Sequence, residues 1–333
     1  MHMSHNETGL KDAWSHAFSV GAAVSSECLA QKESVQLLTT HFSSLTPESA
    51  MKMSKIWPFP HRKYTAEADR ISGFAKEHRY LLRGHAFLDS LATPEWVFEH
   101  DPVKRRDLLE NFIQYMCERY GDAVYAWDVI NNAVSTTRES GLSGRWFEND
   151  DESCIDFAFR AAHAASAQTK LFLNESNNIT GKKKEMTLSL LRRMLDRGVP
   201  IDGIGLHGHW NIDYPDECTL RTAIEDYAAL GLDIEITQLD ISAYKREEEE
   251  NDMESIPEER ELAQAHQYRT IFRIASDYPA VKNITTWGIA DNVHWIGHSP
   301  ARTKSNRALL FNPDFSAKPL VHVLIDMGLN LTY

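Results

Sequence analysis

The chain has 333 residues, of which 42% are hydrophobic and 25% are charged, a composition typical of a globular protein with a sizeable core. Its 35 Lys and Arg are outnumbered by 48 Asp and Glu, which gives a formal net charge of −13. Because such a surface repels phosphate backbones and anionic lipid headgroups, we expect neither nucleic acid nor a membrane as a partner. The negative charge does not exclude neutral molecules as ligands.

The N-terminal residues and the cysteines bear on the cellular compartment. Residues 1–7 contain no basic segment followed by an apolar one, and no apolar run in the chain approaches the roughly 20 residues of a membrane span. The cysteines are far apart and form no CxxC pair, which favours reduced thiols. We therefore expect a cytoplasmic protein, although a secreted chain without its signal peptide would look the same. Residues 1–15 are expected to be poorly ordered or to cap the domain.

Eight short apolar runs recur along the chain, and most are continuous, as is typical of parallel strands covered on both faces. These predicted strands are Phe18–Val24, His41–Thr46, Tyr80–Phe87, Ala123–Asn131, Lys170–Glu175, Gly203–Trp210, Asp233–Ser242 and Val281–Ala290. Helical periodicity lies between them, in Thr65–Arg79, Val103–Tyr120, Cys154–Ala167, Lys184–Arg197, Leu220–Leu230 and Glu259–Tyr278. Where these helices end, we expect Gly121, Gly198 and Gly231 to form left-handed C-terminal caps.

Repeated strand–helix units without a linker predict an α/β fold, a single (β/α)8 TIM barrel that spans residues 1–333 as one domain. A doubly wound open sheet is the alternative, but the chain has neither a GxGxxG turn nor a GxxxxGK[ST] loop, so nucleotide-binding versions of that fold lack support. An acidic run, Glu247–Glu259, follows the seventh strand. We interpret it as a solvated loop, with a cation or partner site as the other interpretation.

In a TIM barrel the chemistry lies at the C-terminal ends of the strands, where side chains converge on one mouth. Here these ends carry amides, imidazoles and indoles, groups that hydrogen-bond sugar hydroxyls or stack on sugar rings. The pattern predicts a neutral, polyhydroxylated small-molecule ligand. His207 and His209 are two residues apart on one strand, but no motif such as HExxH accompanies them, so we expect neither a metal nor a cofactor.

A set of short motifs marks the strand ends of the predicted barrel. They are Gly21-Ala22-Ala23, Leu45-Thr46-Pro47-Glu48 with Met51-Lys52, Arg83-Gly84-His85, Thr93-Pro94-Glu95-Trp96, Trp127-Asp128-Val129-Ile130-Asn131, Asp202-Gly203-Ile204-Gly205-Leu206, His209-Trp210, Thr237 with Leu239-Asp240, Trp287-Gly288-Ile289-Ala290-Asp291-Asn292 and Ala308-Leu309-Leu310-Phe311. Spread from Phe18 to the C-terminus, they resemble glycoside hydrolase family 10, the (β/α)8 endo-1,4-β-xylanases, and especially its intracellular bacterial members. The resemblance implies an activity in xylan degradation.

The resemblance also implies a retaining mechanism with two glutamates, an acid/base after the asparagine that ends strand four and a nucleophile in a Thr-Glu-Leu-Asp run on strand seven. Here the acid/base position is Asn132 and the nucleophile position is Gln238. Retention needs two carboxyl groups about 5–5.5 Å apart, whereas an amide neither donates a proton at neutral pH nor normally forms a glycosyl ester. The resemblance places His209 and Asp240 in support of the nucleophile.

Other positions of the mouth carry either the residue that the family has there or a different one. The resemblance assigns ligand binding to retained residues, namely Glu48, Lys52, His85, Asn131, Trp287 and Trp295. Asp89-Ser90 stands where the family has Trp-His, which removes a sugar-stacking indole, and His207 stands where the family has Gln. We expect Asp89 and His207 to belong to the ligand site. Smaller residues, Ser49, Ala92 and Ser176, replace Asn, Gln and Tyr.

These replacements leave several functions open. The first is a barrel that binds a β-linked saccharide or glycoside while its hydrolysis is lost or strongly impaired. The second is an active endo-1,4-β-xylanase-type enzyme, either because Gln238 is an engineered substitution or because another carboxylate, such as Asp89, takes over. Engineering would account for Gln238 but not for Asn132 or Asp89-Ser90, so we favour natural divergence. Two further functions also remain open. The barrel could be recruited to non-carbohydrate small-molecule chemistry, or it could bind a protein through Glu247–Glu259. The oligomeric state does not follow from the sequence.

Overall fold

A computed structural model describes residues 8–138, 142–147, 152–245, 256–293 and 306–331. Eight parallel strands form a closed barrel in which each strand pairs with its neighbours in chain order and the last pairs with the first. The strands are β1 (Ser19–Val24), β2 (Ser44–Pro47), β3 (Leu81–Asp89), β4 (Val124–Asn131), β5 (Lys170–Glu175), β6 (Gly203–Asn211), β7 (Asp233–Ser242) and β8 (Val281–Thr286). The predicted (β/α)8 TIM barrel is confirmed.

One helix precedes β1, helices connect successive strands, and a last helix follows β8. They are α1 (Leu10–Ala13), α2 (Lys32–His41), α3 (Met53–Ile56), α4 (Ala66–His78), α5 (Glu95–Phe98), α6 (Pro102–Tyr120), α7 (Ser153–Ala165), α8 (Gly181–Asp196), α9 (Glu217–Ala228), α10 (Glu258–Ser276) and α11 (Pro319–Asn330). Each buries an apolar stripe, as in α6, where Leu109, Phe112, Ile113 and Met116 are fully buried. All six predicted helices are confirmed, with ends that differ by no more than three residues.

Two predicted strands have an end that differs from the structure by three or more residues. His41 is the last residue of α2, and β2 begins at Ser44 because pairing with β1 starts only there. β8 ends at Thr286 rather than at Ala290, because Gly288 has φ 136° and turns the chain out of the extended conformation. The residues that follow Thr286, including Trp287, therefore lie on a turn at the mouth.

Of the three glycines expected to be left-handed caps, two are confirmed. Gly198 and Gly231 have φ 64° and 76°. The prediction for Gly121 is wrong, since its φ is −54° and its N–H donates to Cys117 O at 2.8 Å. That bond continues the helical pattern of α6, so no left-handed residue is required there.

The first helix packs against the last. Trp14, which follows α1, is fully buried, stacks on Phe18 at a ring distance of 5.2 Å and donates from Nε1 to Leu324 O in α11 at 3.1 Å.

Among the described residues, no helix is long and apolar enough to cross a membrane. The four cysteines are free thiols, and Cys218 alone is exposed.

A buried ion cluster connects three strands inside the barrel. Arg83 on β3 is 1% exposed, and its Nη1 lies 2.8 Å from Glu235 Oε2 on β7. Its Nη2 lies 2.5 Å from Asp128 Oδ1 on β4. Tyr125 donates to Glu235 Oε2 at 2.9 Å. Because every charge has a partner, the cluster avoids the large cost of an unpaired buried ion, and Asp128 serves the barrel's structure.

Candidate functional site

The two positions with amides both have a left-handed backbone. Asn132 directly follows β4 and has φ 63°, and Gln238 lies in the second half of β7 with φ 56°. A residue other than glycine adopts this conformation at a cost of about 1–3 kcal/mol, so the surrounding structure must impose it. Asn177, after β5, has φ 53°, so three of the five described non-glycine residues with positive φ lie in or just after the C-terminal half of a strand, the end where a barrel carries its site.

A bulge in β7 accounts for the conformation of Gln238. His207 pairs with Thr237 and His209 with Asp240, so two residues of β7 stand opposite the single Gly208 of β6. A Cβ at Gly208 would lie 2.9 Å from a backbone carbon of β7, so only glycine fits beside the bulge. Gln238 is 5% exposed, and no described residue hydrogen-bonds to its side-chain amide.

A chain of polar contacts crosses the mouth from the loop after β2 to β6. Lys52 Nζ lies 3.1 Å from Asp89 Oδ2, and Asn131 Nδ2 donates to the same oxygen at 3.0 Å. His207 Nε2 lies 3.1 Å from Asn131 Oδ1. Asp89, Asn131 and His207 are buried, whereas the Lys52 side chain is 21% exposed. The structure therefore brings four predicted ligand-binding residues into one connected chain.

A second group of predicted residues surrounds the indole of Trp287. The Trp287 ring lies edge-on to the ring of His85 at 5.4 Å and to that of His209 at 6.4 Å. His85 Nδ1 is 2.7 Å from Asp128 Oδ2, and His209 Nδ1 is 2.7 Å from Asp240 Oδ2. Each carboxylate fixes the orientation of its imidazole, so both rings are held at the mouth in a defined position.

The chain after Asn132 is held by a fully buried carboxylate on β5. Glu175 Oε1 accepts hydrogen bonds from the backbone N–H groups of Ala133 and of Val134, the latter at 2.9 Å. Lys183 of α8 balances the charge, with Nζ 3.0 Å from Glu175 Oε2. These contacts fix the turn that presents Asn132.

Lys183 also reaches the residue beside Asn132. Ser176 donates its N–H to Asn132 Oδ1 at 3.1 Å, and its hydroxyl accepts from Lys183 Nζ at 3.2 Å. Sequence reasoning missed Lys183 as a site residue. The only signal was its place near the start of the helix that follows the fifth strand, within the run 182–184 of lysines.

Burial and neighbouring charges shift the acid–base behaviour of the mouth. Burial alone would raise the pKa of Asp89, but the charges of Lys52 and His85 and the hydrogen bonds from Asn131 and Lys52 together outweigh it, so the pKa lies below its usual value. Burial raises the pKa of Glu175, and Lys183 only partly offsets this effect. Burial lowers the pKa of His207 well below its usual value, and four nearby side chains act in the same direction: His209, His85, Lys183 and Lys52.

Some predicted features lie apart from these contacts. Glu48 is half-buried and forms no ion pair with a described residue. Trp295 lies outside the described residues, as does most of the acidic run Glu247–Glu259. Within the ranges that the structure describes, no group of three or more His, Cys, Asp or Glu side chains could hold a metal ion.

Comparison with known proteins gives a full-length match. The sequence profile of Glycosyl hydrolase family 10 matches residues 9–327. The chain is 40% identical over 314 residues to Endo-1,4-beta-xylanase A of Caldicellulosiruptor saccharolyticus, which covers 91% of this chain and 90% of that protein. It is 35% identical over 318 residues to Endo-1,4-beta-xylanase of Geobacillus stearothermophilus, with coverage of 93% and 96%.

Solved structures agree with the sequence matches. An endo-1,4-beta-xylanase from Caldicellulosiruptor owensensis superposes with a TM-score of 0.91 at 35% identity, over 96% of this chain and 99% of that one. A mutant structure in complex with xylotriose gives a TM-score of 0.92 at 35% identity, with the same coverage. From the profile match and the likeness of the whole barrel, this chain belongs to glycosyl hydrolase family 10.

Proposed function

We propose that this protein binds a β-1,4-linked xylooligosaccharide at the barrel mouth and does not hydrolyse it efficiently by a retaining mechanism. The observation that carries the proposal is the pair of amides, Asn132 just after β4 and Gln238 within β7, both with a left-handed backbone. The resemblance assigns the acid/base and the nucleophile to these positions. Neither amide supplies a proton or an attacking oxygen at neutral pH.

The partners of the mouth carboxylates argue against a substitute acid. Asp89 is the carboxylate that is new to the site, but it pairs with Lys52 and accepts from Asn131. A general acid at neutral pH needs a raised pKa, whereas the pKa of Asp89 is lowered. Asp240 is paired with His209. The pKa of Glu175 is raised, but this carboxylate is fully buried and is bound by Lys183 and by the N–H groups of Ala133 and Val134, so it does not reach a leaving-group oxygen. Glu48 has no ion-pair partner among the described residues, so it is the carboxylate to test if turnover is found.

Support for a saccharide ligand comes from the chemistry of the mouth and from the relatives. Amide, imidazole and ammonium groups line it beside the indole of Trp287, which is the mixture that sugar hydroxyls and ring faces require. The relatives are named as xylanases, and one solved neighbour holds xylotriose. We therefore take xylotriose as the first probe.

The test combines a calorimetric titration with an assay of xylan hydrolysis. We expect the unmodified protein to bind xylotriose and to hydrolyse xylan at least a hundredfold more slowly than an ordinary xylanase, since loss of general acid–base help alone costs about 10²–10⁴ in rate. The double variant Asn132→Glu/Gln238→Glu is expected to gain hydrolysis. Turnover by the unmodified protein within tenfold of an ordinary xylanase would contradict the proposal.

An isosteric control distinguishes the effect of the carboxylate groups from the effect of a longer side chain at position 132. Asn132→Gln, with Gln238 unchanged, has the shape of the double variant but only amides, and we expect it to stay inactive. If the double variant also stays inactive while it binds xylotriose, the remodelled mouth and not the missing carboxylates limits catalysis. If neither the unmodified protein nor the variants bind any xylooligosaccharide, non-carbohydrate chemistry becomes the favoured function.

A further inference from the structure

The two ring nitrogens of His207 have different surroundings. Nε2 lies 3.1 Å from Asn131 Oδ1. Nδ1 has no hydrogen-bond partner among the described residues and keeps some solvent-accessible surface, although His207 as a whole is only 6% exposed. Which nitrogen carries the hydrogen therefore decides what the mouth offers to a ligand.

The neighbours of Asn131 fix the orientation of its amide. Its NH2 group must face Asp89, because the low pKa of that residue makes it a carboxylate that only accepts hydrogen bonds. On the other side, Asn174 Nδ2 donates to Asn131 Oδ1 at 3.2 Å. Asn174 is itself oriented by Thr237, whose hydroxyl donates to Asn174 Oδ1 at 2.8 Å. The oxygen of Asn131 consequently faces His207.

This orientation determines the tautomer of His207. An amide oxygen only accepts, so the hydrogen in the contact with Asn131 sits on His207 Nε2. The ring is neutral, because burial and the nearby cationic groups hold the pKa of His207 well below its usual value. A neutral imidazole has one N–H, so Nδ1 carries a lone pair.

We propose that His207 Nδ1 accepts a hydrogen bond from a hydroxyl of the bound saccharide and thereby selects ligands that present a hydroxyl donor at this point. This inference rests on the proposed saccharide-binding function and extends it. The glutamine that the resemblance expects at this position offers both a donor and an acceptor. The imidazole offers only an acceptor, so it rejects a ligand whose hydroxyl is absent or methylated.

The tautomer is tested by nitrogen NMR of the full chain labelled with ¹⁵N-histidine. The His207 resonances are assigned by their absence from the spectrum of His207→Gln. We expect a protonated Nε2 and an unprotonated Nδ1 at pH 7, and we expect the Nδ1 resonance alone to move when xylotriose is added. A protonated Nδ1, or an Nδ1 resonance that stays in place while xylotriose binds, would overturn the inference.

Affinity gives an independent measurement. We expect His207→Phe to weaken xylotriose binding by roughly three- to tenfold, the usual effect of one neutral hydrogen bond, and His207→Gln to restore most of it. His61→Phe, at an exposed position, is the control and should leave the affinity unchanged. Equal binding by His207→Phe and the unmodified protein would exclude the acceptor role. Absence of xylotriose binding by the unmodified protein would contradict the proposed function, and the acceptor role with it, whatever the tautomer.

Discussion

At the scale of single residues, most carboxylates of the mouth have a basic side chain as a partner. Four carboxylates each lie beside a cationic or imidazole side chain: Asp89 with Lys52, Asp128 with His85, Asp240 with His209 and Glu175 with Lys183. None of these four pairs includes Asn132 or Gln238. The two amides are therefore compatible with a stable mouth, and the energetic importance of each pair can be measured separately.

The Lys52–Asp89 pair gives the first stability prediction. Asp89→Asn leaves the partly buried ammonium without its counter-charge, so we expect the free energy of unfolding to fall by about 1–3 kcal/mol. Addition of Lys52→Met should recover part of this loss, because it removes the uncompensated charge. Urea unfolding of the two single variants and the double variant measures the coupling. Strictly additive effects would show that the two side chains do not interact.

An exposed ion pair provides the matched control for that cycle. Lys104 and Asp107 lie 3.9 Å apart on α6, and both side chains are more than half exposed. Asp107→Asn is expected to change the free energy of unfolding by less than about 0.5 kcal/mol, since solvent screens such pairs. A loss as large as that of Asp89→Asn would mean that burial is not what strengthens the pair in the mouth.

The sequence predicted which residues lie around the mouth but not how their side chains are paired. Asn132, Gln238, Asp89 and His207 follow from the family resemblance, applied to the C-terminal halves of the predicted strands. Lys183 does not, because its contact with Glu175 depends on how α8 lies against the mouth, a tertiary property. That Asp89 and His207 contact the same amide likewise depends on side-chain directions that no sequence pattern specifies.

At the scale of elements, the strand order and the approximate strand positions were predictable, whereas the bulges were not. Continuous apolar runs mark β3 to β7 because both faces of these strands are covered. A bulge inserts one residue without changing that pattern, so the left-handed conformation of Gln238 cannot be predicted from the periodicity of apolar residues. The helical Gly121 shows the same limit, since a glycine after a helix permits a left-handed cap without requiring one.

Close approach inside the barrel gives the second stability prediction. A Cβ at Gly205 of β6 would lie 2.0 Å from Asn174 Oδ1, so Gly205→Ala must displace the amide that orients Asn131. We expect it to lower the free energy of unfolding by about 1–3 kcal/mol, as overpacking of a core typically does. In the exposed middle of α4, a Cβ at Gly73 meets nothing within 4 Å, and Gly73→Ala should stabilise by about 0.5–1 kcal/mol. Equal effects of the two variants in urea unfolding would contradict the packing argument.

At the scale of the whole molecule, one half-buried histidine links the N-terminal helix to the C-terminal part of the chain. His41 ends α2, receives the Leu10 N–H on Nδ1 at 3.4 Å and packs its ring 4.9 Å from that of Phe311. Burial lowers the pKa of His41 to about 4, with His322 acting in the same direction. The neutral ring is therefore part of the contact between the two ends of the fold.

This lowered pKa predicts how stability depends on pH. Between an unfolded value of about 6.5 and a folded value of about 4, the unfolded chain binds a proton at His41 that the folded protein does not. The free energy of unfolding should consequently fall as the pH drops through this window, by at most about 3 kcal/mol from this residue. His41→Asn keeps an acceptor for Leu10 but does not titrate, so its urea unfolding should depend less on pH from 6.5 to 4. The exposed His61→Asn should follow the unmodified protein, and a His41→Asn curve parallel to it would exclude His41 as a source of acid sensitivity.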